Sequence, residues 1–167
     1  MDILIVLEEN HGSLHRLSKE AIAGAQELGG EVVALAIGQH ANEIADALSS
    51  FDLTDVITVD HEMVATYNAD GYSEVIKKII EAESPKIIVA GHTYQTRDFM
   101  PRVSAGLRIP FIPDIISLSD NSFVKQVLNA KLNATASSNS DQVILSFQSA
   151  AFNEENIRSG SCSSRSF

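Results

Sequence analysis

Cysteine is almost missing from this chain: Cys162 is the only one in 167 residues. That excludes an internal disulfide and any zinc site built on several thiolates. It suits a reducing cytoplasm, which is the expected location. Cations are scarce as well. Twelve Lys and Arg face 22 Asp and Glu, for a formal net charge of −10. Nucleic-acid phosphates call for clustered Lys and Arg, so this balance argues against that partner class and for solubility and a basic partner surface. Long apolar runs are absent: none approaches the roughly 18 residues of a membrane span, so no integral membrane protein is expected. Met1 leads at once into Asp2 and an apolar run, so no secretory leader is expected. Glycine is thin where nucleotide fingerprints need it. The first apolar run ends in Glu8-Glu9-Asn10-His11-Gly12, with one glycine and two carboxylates that repel phosphate. This speaks against a Rossmann dinucleotide turn. No Gly-Lys-Ser/Thr Walker ending and no Gly-x-Ser-x-Gly elbow occurs.

What is present reads as alternating strands and helices. The length fits one domain, or one domain plus a tail, with room for a core that needs no staples. Ile3 to Leu7 is a continuous apolar run, as a parallel strand buried on both faces requires. Ser13 is a candidate N-cap for a helix carrying Leu14, Leu17, Ala21, Ile22, Ala25 and Leu28, closed by Gly29-Gly30. Val32 to Ile37 is a second strand, Ala41 to Leu48 a helix and Val56 to Val59 a third strand. Asp70 to Glu83 is a helix through Val75, Ile76, Ile79 and Ile80, and Ile87 to Ala90 is a fourth strand. This alternation predicts a three-layer α/β/α fold with a mostly parallel sheet, Rossmann-like in the manner of adenine nucleotide α-hydrolases.

After Pro110 the pattern changes. Ile115 to Leu118, Phe123 to Leu128, Leu132 to Ala136 and Val143 to Phe147 read as strands with polar turns at 119–122 and 137–141 and no helix between. An antiparallel C-terminal half is expected, extending or capping the parallel sheet. Residues 1–152 form the predicted α/β domain. Residues 153–167, where Ser159, Ser161, Ser163, Ser164 and Ser166 crowd together, read as a Ser-rich linker or tail. That segment is either a disordered terminus or the lead into a further domain.

The richest window is Lys86 to Asp114. Ligands and partners gather outside the carboxyl ends of strands in an open α/β sheet, and free N–H groups at a helix start favour anions. Gly91 allows close backbone approach, Thr93 and Thr96 offer hydroxyls, and three of the six arginines (Arg97, Arg102, Arg108) fall here. Asp98 and Arg102 stand four apart, the spacing of a helix-surface ion pair. Arg97 and Arg102 could also meet an anion or a partner. The strand-end and interface candidates are therefore Gly91, Thr93, Thr96, Arg97, Asp98 and Arg102. His11 and His15 near Glu8 and Glu9 have the residue types of a metal site, but His11 precedes the helix start, and a solvated helix entrance is the expectation. Cys162 lies in the serine-rich segment without a base to activate it. An enzyme acting through His92, Asp98 and Arg102 lacks a positioned nucleophile, so no catalytic and no metal residue is assigned.

The stretch Arg97-Asp98-Phe99-Met100-Pro101-Arg102-Val103-Ser104-Ala105-Gly106-Leu107 resembles a block of the electron transfer flavoprotein α subunit, Gly-(Lys/Arg)-Asp-Leu-x-Pro-Arg-Val/Ala-Ala with a leucine after it. Asp114-Ile115, Ile3 to Glu8, Phe123, Leu128-Asn129-Ala130 and Val143 to Phe152 resemble other parts of the same N-terminal domain. The resemblance covers residues 1 to about 152. Thr96 stands where the family has Gly, Leu128 replaces the Gly before Asn-Ala, and Gln148-Ser149 stands where a strand Arg is common.

The resemblance implies a scaffold domain of a heterodimeric electron carrier. Such carriers take electrons from flavoprotein dehydrogenases such as acyl-CoA dehydrogenases and pass them toward a quinone reductase. The partner is the β subunit, which holds AMP. FAD sits in a second, glycine-rich domain that this sequence does not include, so the chain alone is expected not to bind it, and no flavin ligand is carried over. The reading is of an electron-carrier subunit rather than an enzyme. The alternative is a stand-alone nucleotide module of the universal-stress-protein type, whose late Gly-x-x-Gly run is not found here.

Overall fold

The computed structural model describes residues 1–119 and 122–167. Along the chain run β1 (Ile3–Val6), β2 (Glu9–Asn10), β3 (Ser13–Leu14), α1 (Arg16–Leu28), β4 (Val32–Ile37), α2 (Ala41–Ala47), β5 (Asp55–Val59), α3 (Ala69–Glu83), β6 (Ile87–Gly91) and α4 (Tyr94–Leu107). β7 (Phe111–Ser119), β8 (Ser122–Val127), β9 (Leu132–Ala136), β10 (Val143–Phe147) and β11 (Ser163–Ser166) complete it. Among the described residues, nine strands form one sheet in the order β11-β5-β4-β1-β6-β10-β7-β8-β9. From β11 to β7 every pairing is parallel; β7-β8 and β8-β9 are antiparallel. The expected α/β sandwich with antiparallel C-terminal strands is the observed architecture.

The strands of the parallel core are apolar throughout because both faces are covered. All residues of β1, β4 and β10 are buried. On one face, Ala21, Ile22 and Ala25 of α1 and Ile44 of α2 pack over Ile3, Ile5, Ala34 and Phe147. On the other, Ile76, Ile79 and Ile80 of α3 join Phe99, Met100 and Val103 of α4 over Leu4, Leu35, Ile57 and Ile88. Gly24 of α1 lies under the Phe147 ring: a Cβ there would stand 2.5 Å from that ring, so the helix approaches β10 only with glycine at this point. No helix among the described residues is long and apolar enough to cross a membrane.

Four local features differ from the sequence expectation. First, Val143–Phe147 is not antiparallel. It slots between β6 and β7 and runs parallel to both, filling the centre of the sheet. An apolar run has no direction of its own, and only the path of the chain back from β9 sets it. Second, α1 starts later than Ser13. Ser13–Leu14 pairs with Glu9–Asn10 as a small hairpin, and His15 caps the helix, its Nδ1 accepting the Leu17 N–H at 3.1 Å. Third, His92 to Asp98 reads in the sequence as a polar crossing ahead of a short helix ending near Arg108, whereas α4 already begins at Tyr94. Fourth, part of the serine-rich segment is ordered structure. Ser163–Ser166 adds to the edge beside β5 with every side chain exposed. Its pairing comes from backbone groups and from Arg165, which bonds Asp55 at 2.7 Å and Glu83 at 2.6 Å. Polar composition hides such a strand from a hydrophobicity reading. Upstream, the buried Gln26 side chain donates to the Asp52 carbonyl and accepts from Arg158 N–H, both at 2.8 Å, which ties this segment to α1. The turn expected at 119–122 falls partly on residues 120 and 121, outside the described residues.

Candidate functional site

Chain order reverses at the sheet centre. From β1 the connections run outward through β4 to β5, and from β6 they run the other way. Such a switch point opens a crevice at the strand carboxyl ends, the general ligand position of open α/β sheets. Here that crevice lies between the ends of β1 and β6, where the window of candidate residues begins.

The end of β1 is covered. The Glu8 N–H donates to Ser18 Oγ at 2.8 Å, and the Ser18 hydroxyl donates back to the Glu8 carbonyl at 3.1 Å. This clamps the first turn of α1 over the crevice. Gly91 closes it from the other side. A Cβ at Gly91 would stand 2.7 Å from Leu17 Cβ and 2.8 Å from the Leu17 carbonyl oxygen. The close approach that glycine permits is thus made to a helix of the same chain. Glu8 Oε2 is buried without a hydrogen-bond partner among the described residues. The turn after β1, whose Glu8 N–H is already bonded to Ser18 and which carries the carboxyl side chains of Glu8 and Glu9, does not fit the pyrophosphate of FAD, because a phosphate cradle needs free N–H groups.

Thr93 and Thr96 are spent on the start of α4. Thr93 Oγ1 accepts the Thr96 N–H at 3.0 Å and donates to Thr96 Oγ1 at 3.2 Å, and both side chains are buried. The cap satisfies one of the N–H groups left open at a helix start.

Asp98 and Arg102 do pair, at 3.5 Å, and the pair belongs to a wider lock between α4 and α3. Arg102 donates to Asp70 at 2.9 Å and to the Asp98 carbonyl at 3.2 Å. Asp98 accepts from the Tyr67 hydroxyl at 2.8 Å. The Tyr67 ring meets Tyr72 edge-on, with centroids 5.0 Å apart, and both lie beside Phe99. Burial, then the hydrogen bond to Asp98, raises the Tyr67 phenol well above its ordinary range. Burial, aided by Glu9 and Glu8, lifts Tyr72 to about 12. Both phenols therefore stay protonated near neutrality. Arg97 points elsewhere. Its guanidinium carbon lies 5.6 Å from the centroid of the Tyr94 ring, and Tyr94 is 88% exposed. Together they present a cation and an aromatic face to solvent, a pairing suited to a protein or anion contact.

A second cluster on the far side of α4 was not foreseen as a unit. His92 Nδ1 lies 2.8 Å from Ser146 Oγ on β10, and His92 Nε2 lies 4.0 Å from Asp114 on β7. Asp114 adopts a left-handed backbone (φ 65°), where the register of β7 shifts against β10. That bulge turns the Asp114 N–H onto Ser146 Oγ at 3.2 Å. The same hydroxyl thus bridges the Asp114 backbone and the His92 ring, whose Nδ1 donates or accepts according to the imidazole tautomer. Burial lowers the His92 pKa against the opposing pull of Asp114, with Arg97 and Lys125 adding to the decrease. Serine, histidine and aspartate meet here, yet Ser146 is wholly buried and its hydroxyl already engaged. The cluster joins β6, β7 and β10 and offers no accessible nucleophile. His92, Asp98 and Arg102 are not one constellation: the first faces β10 and the other two face α3. One signal could have found the cluster, since a lone serine in an otherwise apolar buried strand must be hydrogen-bonded.

His15 is engaged as a cap, and among the described residues no three His, Cys, Asp or Glu side chains gather as a metal site.

Comparison with known proteins adds a lineage. The model of the electron transfer flavoprotein domain matches residues 3–163. The chain is 34% identical over 119 residues to the electron transfer flavoprotein subunit alpha of Bacillus subtilis, covering 70% of this chain and 37% of that protein. It is 29% identical over 120 residues to the corresponding subunit of Clostridium acetobutylicum, covering 70% of this chain and 36% of that protein. It is 27% identical over 153 residues to a probable mitochondrial electron transfer flavoprotein subunit alpha of Schizosaccharomyces pombe, covering 90% of this chain and 45% of that protein. The chain thus spans between about a third and a half of the length of these relatives. These matches favour the flavoprotein reading over the stress-protein-like nucleotide module.

Proposed function

The chain belongs to the electron transfer flavoprotein domain family, and on that premise we propose that it is the N-terminal α/β domain of an α subunit. Residues 1–152 form the domain, and residues 153–167 are a Ser-rich tail whose last strand lies back along β5. Its work is to be the platform of a heterodimeric electron carrier. The β subunit packs against it and holds AMP, and FAD is held by an α-subunit region outside this sequence. The assembled carrier moves electrons from flavoprotein dehydrogenases toward a quinone reductase in the cytoplasm, and this domain contributes no catalytic group.

One observation carries the reading. The family match runs nearly the length of the chain, while the strand-end crevice is covered by the first turn of α1 through the Glu8–Ser18 hydrogen bonds and the Gly91–Leu17 contact. A domain of flavoprotein lineage whose own ligand crevice is closed is suited to support rather than redox chemistry. Two surfaces remain for partners. The Arg97–Tyr94 pair stands at the start of α4. The β8–β9 hairpin exposes Leu128 (68%) and Leu132 (56%) at the far edge of the sheet. Leu128, Asn129 and Ala130 all hold left-handed backbone there, a costly turn of the kind retained at functional surfaces.

Co-expression with an electron transfer flavoprotein β subunit, followed by sizing and mass measurement, tests the proposal. A one-to-one complex is expected, weakened by Leu128→Asp and by Arg97→Glu. Absence of any complex would overturn it. Retention of FAD by the chain alone, seen as flavin absorbance after gel filtration, would overturn the assignment of flavin binding to a region outside this sequence.

A further inference from the structure

The two ends of the sheet are finished differently. β11 closes one end with polar side chains only, and its Arg165 is held by Asp55 and Glu83. β9 forms the other end, with β8 as its one neighbour. The β8–β9 ladder runs unbroken from Phe123 opposite Ala136 to Val127 opposite Leu132, so no bulge turns the edge away. Leu132-Asn133-Ala134-Thr135-Ala136 holds no charge and no proline. Charged side chains, prolines and bulges are the usual means of keeping an edge strand from pairing further. β9 has none of them. Among the described residues no backbone hydrogen bond reaches it from outside the hairpin.

The side chains give this edge a chemical preference. Leu132, Ala134 and Ala136 share one face of β9, and Asn133 and Thr135 the other. Leu132, at the start of the strand, and Leu128, in the turn before it, are both more than half exposed. Charge is unevenly spread as well. Residues 91–136 carry five Lys and Arg against three Asp and Glu, a formal +2, so the rest of the chain carries −12. Those residues build α4 and the β7-β8-β9 end of the sheet. From residue 121 to residue 140 there are two lysines and no carboxylate. Lys131 is exposed in the turn that leads into β9. The lysine ion pairs among the described residues are those of Lys19, Lys77 and Lys86, which leaves Lys125 and Lys131 uncompensated.

We propose that β9 is completed by a strand from a partner protein, one that alternates apolar and polar side chains and carries Asp or Glu at its ends. Its backbone pairs with the outward N–H and C=O groups of β9, its apolar side chains continue the Leu132 face, and a terminal carboxylate meets Lys131. Charge complementarity selects this occupant. The acidic remainder of the molecule repels an acidic segment and steers it to this end, whereas a basic segment is drawn elsewhere and meets Lys131 here. A second copy of the chain does not fit, because it brings no carboxylate on its own β9 and adds a body of formal charge −10. The inference rests on the reading of the hairpin as a partner surface and adds the chemistry of what that surface takes.

Synthetic peptides that share a Val-Thr-Val-Thr-Val core test it against the full 167-residue chain, one flanked by paired aspartates and the other by paired lysines. Calorimetry gives the affinities, and amide exchange followed by NMR reports on Leu132–Ala136. The aspartate peptide is expected to slow exchange in those residues and to bind about fivefold more tightly than the lysine peptide, with the difference shrinking in about 0.5 M salt. Lys131→Glu, at an exposed turn position, is expected to remove that preference. N-methylation of alternate peptide N–H groups separates strand pairing from side-chain contact alone. Methylating the set that faces the ladder is expected to abolish binding, and methylating the other set to leave it unchanged. Equal affinity for the aspartate and lysine peptides, an equal effect of the two methylated sets, or unchanged exchange across Leu132–Ala136 at millimolar peptide overturns the proposal. These measurements are made without the β subunit, so their failure is distinct from the absence of a one-to-one complex.

Discussion

Two clusters flank the start of α4, and they are built on opposite principles. On the α3 side, Tyr67, Asp70, Asp98 and Arg102 form an ion and hydrogen-bond lock in which Arg102 and Asp98 are about half exposed and Asp70 is open to solvent. On the β10 side, His92, Asp114 and Ser146 join three strands around one wholly buried hydroxyl. The first cluster carries the charges that draw the eye. The second carries the larger energetic stake, because solvent can replace a lost surface bond but not a lost buried one.

Substitutions at the two clusters and their neighbours test that contrast. The largest loss is expected at Gly91→Ala, where the new methyl meets Leu17 backbone and side chain at once. Overpacking of this kind costs about 1–3 kcal/mol, with more where backbone must move, and urea denaturation reads it directly. Ser146→Ala comes next. It strands the Asp114 N–H and removes the hydrogen bond to His92, for a loss of about 1–3 kcal/mol in the same assay. Arg102→Ala is expected to cost under about 1 kcal/mol, since its partners stay hydrated. A loss at Arg102→Ala equal to that at Ser146→Ala would erase the distinction between the clusters.

Protonation sharpens it further. The His92 pKa is lowered in the fold by burial, so the unfolded chain binds its proton more readily. The stability this contributes is present in full above the ordinary value of 6.5 and is lost as pH falls through the lower folded value. Stability of the parent chain is expected to fall below pH 6.5 more steeply than that of His92→Asn, as measured by denaturation at pH 7.5 and pH 5.5. Identical slopes would remove His92 from the account. The smallest effect is expected at Arg165→Ala, where amide exchange speeds up in Ser163–Ser166 while global stability hardly moves.

Much of the fold could be read from residue order. β4, β9 and β10 have the predicted ends, and β1, β5, β6, α2 and α3 differ by a residue or two. Their apolar runs and helical spacing come from faces that must be covered. What could not be read depends on residues distant in sequence. Nothing in Val143 to Phe147 says that it lies between β6 and β7, and nothing in a run of serines says that β5 will accept it as a neighbour. The site divides in the same way. The Asp98–Arg102 pair follows from spacing within one helix. The role of Gly91 rests on Leu17, and that of His92 on Ser146, contacts that exist only after the sheet has assembled.

The position of β10 bears on how the molecule comes into being on the ribosome. β7 has only two neighbours in the sheet, β8 and β10. A nascent polypeptide that has emerged only as far as residue 136 therefore holds two separate strand sets, β5-β4-β1-β6 and β7-β8-β9, with no ladder between them. Each shows an unpaired apolar edge until the fifth residue of a single late strand arrives. The hazard of off-pathway association is concentrated in that interval of synthesis, and a translational pause ahead of residue 143 would lengthen it.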